Sequence, residues 1–143
     1  MMDTSITLEE ISASWPSGQS GLGRAFGELA GKAGRRPGTK FSLVSREGIS
    51  YSFRAALIDP PRDRVRPVFF LADVIISPSE PWFLSVCFYE DEITDPKELG
   101  NPIPQGLYGE TGYCFDVDDY DPGLLAYLKD RMIEAHQTAS LNL

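Results

Sequence analysis

The chain has 143 residues, is 42% hydrophobic and 24% charged, and carries a formal net charge of −8. That length and balance fit one globular domain over residues 1–143 and exclude broad disorder, and no apolar run reaches the roughly 18–20 residues that a membrane span needs. The charge is uneven: 10 basic and 7 acidic residues precede Leu71 (+3), whereas 12 acidic residues and Lys97 alone fill Leu71 to Asp121 (−11), which repels nucleic acid.

Residues 1–6 read as a loose end. Leu8, Ile11 and Trp15 recur at helical spacing, with Thr7 as a possible N-cap and Pro16 and Gly18 as terminators. A second helix is expected over 21–33, where Leu22, Phe26, Leu29 and Ala33 share one face. Gly34 then stops it, and Pro37-Gly38 turns the chain.

From Phe41 the period changes from 3.6 to 2. Residues 41–46 read as a strand, Glu47-Gly48 as a hairpin turn, and 49–58 as a half-buried strand alternating Ile49, Tyr51, Phe53, Ala55 and Leu57 with small or polar residues. Asp59-Pro60-Pro61 ends it. Strands over 67–76 and 82–90 are apolar on both faces and belong in the middle of a sheet. Residues 91–111, with three prolines and three glycines, read as a long irregular loop that could cover a pocket. A fifth strand is expected over 113–117. Asp121-Pro122 opens a terminal helix over 121–137, with Leu125, Leu128, Met132 and Ala135 on one stripe. The class is α+β: a mainly antiparallel five-stranded sheet, with N-terminal helices and a C-terminal helix packed on it.

Few catalytic chemistries fit. His136 is the sole histidine and sits in the last turns of a helix, where a structural role suits it. Cys87 and Cys114 have neither metal-ligand spacing nor an export signal before them, so free thiols in a cytoplasmic protein are expected. Alternation sets Cys114 beside Asp116, on the face away from the terminal helix. The run Gly21-Leu22-Gly23-Arg24-Ala25-Phe26-Gly27 lacks the strand and spacing of a nucleotide loop and reads as small residues packing a helix closely. Asp116–Asp121 opens like a calcium loop but has Asp121 and Tyr127 where that loop needs Gly and Glu. No catalytic residue, metal or cofactor is assigned.

Asp73 interrupts an apolar strand and must be paired, wet or protonated; Arg54 on the preceding strand is the expected partner. Asp73, Glu90 and Glu110 are the candidate ligand-binding residues. The function that fits is a non-enzymatic protein-binding or adaptor module acting through an apolar sheet face or an acidic surface. A homodimer and a basic protein are its expected partners, with no nucleic acid and no membrane. The alternative is a small ligand-binding domain or carboxylate-dependent enzyme, with its pocket between sheet and helix under the 91–111 loop.

Overall fold

The computed structural model describes residues 10–11, 15–16, 18–46, 48–76 and 81–141. Glu10 and Ile11 are helical, and Ile11 is buried; the expected N-cap Thr7 and the neighbouring Leu8 lie outside the described residues. Helix α1 spans Ser20–Gly34 and buries Leu22, Ala25, Phe26, Leu29, Ala30 and Ala33, a stripe at three- and four-residue spacing. In its first turn Gly21 meets Asp119 and Tyr120, so close packing there is against a loop, not the sheet.

Six strands follow: β1 Thr39–Arg46, β2 Ser50–Leu57, β3 Phe70–Ile75, β4 Phe83–Tyr89, β5 Asn101–Leu107 and β6 Glu110–Val117. They form one sheet in the order β1-β2-β3-β4-β6-β5, with every pair antiparallel. Helix α2, Pro122–Ser140, closes the domain; the Asp121 side chain caps it by accepting from the backbone N–H groups of Gly123 and Leu124.

The sheet has six strands where five are expected, because 91–111 is not an irregular loop throughout. Glu90–Glu92 form a 3-10 turn, and Asn101–Leu107 pair with β6 as an edge strand. Pro102 and Pro104 argue against a central strand but are tolerated at an edge, where a missing N–H faces solvent. Gly100 is required at its start, since a side chain there would run into the Tyr113 and Phe115 rings. Strand β3 begins only at Phe70, three residues after Pro67, and β6 begins at Glu110, before the expected Tyr113.

Both helices pack on one face of the sheet, so α1 does not cover the second face. Between helices and sheet runs a line of rings: Phe41–Phe53 at 5.2 Å, Phe53–Phe70 at 6.0 Å, Phe70–Phe88 at 5.5 Å, Phe88–Phe115 at 6.0 Å and Phe115–Tyr127 at 6.3 Å. It crosses five strands and ends on α2. Each such pair adds about 0.5–1.5 kcal/mol to the burial of the rings themselves. His136 joins α2 to the turn after α1: its Nε2 lies 2.9 Å from the Pro37 carbonyl oxygen and its Nδ1 3.4 Å from Arg36 Nε. A carbonyl only accepts and a guanidinium only donates, so the ring is the neutral Nε2–H tautomer. Burial holds its pKa below the ordinary value; the Pro37 carbonyl opposes this and the Arg36 charge adds to it.

Cys87 and Cys114 are not free thiols. They stand directly opposite each other on β4 and β6, with Cα atoms 4.2 Å apart, and form a disulfide. That spacing belongs to the narrow, non-hydrogen-bonded pair of an antiparallel ladder, which alternation alone does not reveal. The cytoplasmic placement inferred from free thiols loses that support. Among the described residues, no helix is long and apolar enough to cross a membrane.

Candidate functional site

The space between sheet and helices is filled by the ring ladder, so the candidate surface is the opposite face. Register places Ser52, Arg54, Asp73, Ile75, Phe83, Ser85, Cys87, Cys114 and Asp116 on it. The tip of the β5–β6 hairpin folds over one end of this face. Leu107 is buried there against Val68, Leu71, Cys87 and Tyr89. The far end, with Arg46, Ser50, Ile75 and Phe83 in one cross-strand row, stays open.

The three candidate carboxylates fall in two places. Asp73 lies mid-face, with Ser52 across from it on β2 and Ser85 on β4. Its Oδ1 is buried without a hydrogen-bond partner, because Arg54 Nε donates to Ser52 Oγ at 3.0 Å and makes no ion pair with Asp73. Burial pushes the Asp73 carboxyl up, against the opposing pull of Ser52, Arg54 and Arg46. Glu90 and Glu110 line a cleft of about 200 Å³ with Arg66, Asp91 and Thr111. Arg66 takes up that cleft's charge: it donates to Asp91, to Glu92 and, through Nη2 at 2.7 Å, to Glu110, and its guanidinium lies 4.4 Å from the Tyr89 ring centre. The Arg66 hydrogen bonds hold both Glu110 and Asp91 below the usual carboxylate range. Arg64 pairs with buried Glu92 at 2.6 Å and donates to the Val68 carbonyl. Asp91, Glu92 and Glu110 are structural partners of these two arginines, whereas Glu90 lines the cleft without an ion pair among the described residues.

A second acidic residue of the long connection organises it. Asp95 accepts from the Tyr127 hydroxyl, from Tyr113 Oη at 2.7 Å, from Gly100 N at 2.9 Å and from Leu99 N at 3.1 Å. Burial raises its pKa, but these four donors outweigh that and hold it at about 2. Asp95 thereby ties the connection before β5 to α2 and β6, and so fixes where the hairpin starts.

Beside the hairpin tip lies a cleft of about 410 Å³ that the sequence reading did not anticipate. Lys40 of β1 and Arg54 and Ala56 of β2 form one side; Pro67, Val68 and Tyr108 form the other. Lys40 makes no side-chain hydrogen bond or ion pair among the described residues, and Arg54 engages only its Nε, leaving both terminal amino groups without a hydrogen-bond partner there. Tyr108 has φ 50° and Gly109 φ 83°, the two-residue hairpin turn in which both central residues are left-handed. The glycine suits that turn; a tyrosine in it costs on the order of 1–2 kcal/mol. The missed signal is Tyr108-Gly109 itself, a hairpin turn hidden by the two prolines before it.

Among the described residues, no group of three or more His, Cys, Asp or Glu side chains is placed to hold a metal ion. No family model matches the chain, and no curated protein or solved structure matches it.

Proposed function

We propose that this protein is a protein-binding module that acts through the open end of its uncovered sheet face, and that it pairs there with a second copy of itself. The observation that carries this reading is the composition of that end. Phe83 is 39% exposed there, with half-buried Ile75 directly across from it on β3 and half-buried Val44 one row further in on β1. An apolar cluster left uncovered by its own helices favours an interface. Its flanks are of opposite charge, with exposed Arg46 on β1 and exposed Asp116 on β6. A twofold axis parallel to the strands, over β3, sets the β1 side of one copy against the β6 side of its mate. Like patches then meet at the centre and unlike charges meet at the flanks.

A basic protein partner draws less support. Asp91, Glu92 and Glu110 are paired with Arg64 and Arg66, and Asp95 and Asp121 are committed to hydrogen bonds within the chain, so these five carboxylates are already engaged.

Sedimentation equilibrium at micromolar concentration tests the pairing. The expected species is twice the 15.8 kDa chain. Phe83→Asp weakens it at least ~10-fold, as loss of a central anchor does. Arg46→Glu and Asp116→Arg each weaken it, and the double reversal restores it. A wild-type monomer under these conditions, or a double reversal no better than either single one, rejects the reading.

A further inference from the structure

We propose that the cleft between β1–β2 and the tip of the β5–β6 hairpin is a binding site for a small organic anion: a carboxylate on a flat, apolar body. The inference does not depend on self-association, since the cleft lies at the other end of the sheet face from Phe83.

The side chains supply both halves of such a ligand. Arg54 is anchored through Nε to Ser52 and so presents two preoriented terminal amino groups, the geometry that takes a carboxylate by two parallel bonds. Lys40 adds a second positive charge from the neighbouring strand; it lies across from Ala56, two residues from Arg54. No acidic residue lines the cleft to neutralise them. Facing the cations, Val68 and Pro67 form an apolar wall, Ala56 lies between Lys40 and Arg54 on their own side, and Tyr108 stands at the margin, half exposed. A volume of about 410 Å³ lies within the range of small-molecule sites, which are apolar with a few fixed polar groups.

The Tyr108 backbone supplies an independent argument. The turn needs two left-handed residues, and glycine or asparagine would fill its first position without strain. The chain instead holds an aromatic residue there, at the margin of the cleft, although the hairpin's own anchor is the buried Leu107. Strain kept at a residue that the fold does not require points to a role in binding.

The test is titration of the isotope-labelled protein with 2-naphthoate, followed by backbone amide shifts, with 2-naphthamide and inorganic phosphate as parallel probes. Naphthoate is expected to give saturable shifts at 40–42, 54–56, 68 and 108–109. Naphthamide, of the same shape but uncharged, should bind about tenfold more weakly or worse, as should phosphate, which lacks the apolar body. Arg54→Met should lower naphthoate affinity about tenfold with the spectrum elsewhere unchanged. Tyr108→Gly separates binding from folding: it relieves the turn, so the denaturation midpoint should hold or rise while affinity falls. Equal affinity for naphthoate and naphthamide, absence of saturable shifts at these positions at millimolar probe, or full affinity in Tyr108→Gly overturns the proposal. Tighter binding of phosphate than of naphthoate overturns the carboxylate assignment. Phe83→Asp should leave the titration unchanged, so failure of the dimer and failure of this site are read separately.

Discussion

Asp95→Asn replaces one oxygen of a carboxylate on which two tyrosine hydroxyls and two backbone N–H groups converge. A carboxyl held at about 2 against 3.8 when free contributes ~2.4 kcal/mol at neutral pH, from 1.36 kcal/mol per pKa unit. Partial exposure of Asp95 discounts this to ~1–2 kcal/mol. The amide keeps one acceptor and turns an NH₂ toward two donors. A tyrosine hydroxyl can rotate to accept from it, but a backbone N–H cannot, which adds roughly 1 kcal/mol for the orphaned donor. The total is ~2–3 kcal/mol. Urea unfolding followed by circular dichroism measures it.

The pH dependence of this loss is the sharper check. The folded pKa of Asp95 is depressed, so its contribution is complete above the unfolded value of 3.8 and is lost as pH falls toward about 2. The gap between wild type and Asp95→Asn should therefore stay constant from neutral pH down to about 5 and close by roughly half at about pH 3. A gap below ~0.5 kcal/mol at neutral pH, or one that does not narrow under acid, refutes the reasoning about this hub.

Protein purified without reductant should show no titratable thiol in denaturant until reductant is added, and Cys87→Ser with Cys114→Ser should cost up to ~3–4 kcal/mol for opening a loop of separation 27. Two thiols titrating at once would contradict the pairing. Stability should fall as pH drops below about 6.5, because the unfolded chain takes up a proton that folded His136 refuses, and should level off once pH passes the lower folded pKa. His136→Gln should remove this slope; the raised carboxyl of Asp73, which acts with the opposite sign, remains in both proteins and cancels in the comparison. Phe88→Ala, at the middle of the ring ladder, should cost ~3–5 kcal/mol by calorimetry, and a loss under 1 kcal/mol would mean the ladder is not the core.

Some of this was legible in the residues and some was not, for physical reasons. Period 2 in Tyr51, Phe53, Ala55 and Leu57 finds β2 and its buried face, and Asp121-Pro122 marks the start of α2, because burial and capping leave local patterns. Strand β5 leaves none. Asn101–Leu107 is exposed at six of seven positions, so no alternation survives, and its prolines read as breakers. The Cys87–Cys114 pair needs the register of β4 on β6, which depends on where β6 ends and not on either sequence alone. Asp73 was visible as an anomaly, but its partner was not: Arg54 is offset by two residues from its register, and Ser52 takes the opposing place. Lys40, Arg54 and Tyr108 share a cleft only because the hairpin folds back over the face, a tertiary event with no local signature.

The same folding back gives the hairpin beside the cleft two anchors, Asp95 before its start and Leu107 at its tip, and which of them sets the tip can be separated by mutation. The Asp95 carboxylate fixes the start of β5 against α2, the β5–β6 ladder runs from there to the tip, and the tip carries Tyr108. Leu107 also anchors the tip by its burial, so the ends of the hairpin are held separately. If Asp95 matters to the hairpin as a whole, Asp95→Asn should weaken naphthoate binding along with stability and leave the Phe83 interface unaffected. If Leu107 alone sets the tip, Asp95→Asn should cost stability and leave naphthoate affinity at the wild-type value. The irregular register between Ile103 and Leu107 favours the second outcome, because a bulge breaks the ladder between the anchored end and the tip. We therefore expect unchanged affinity in Asp95→Asn at temperatures where it is folded; a tenfold loss would show that the ladder transmits strain through its bulge.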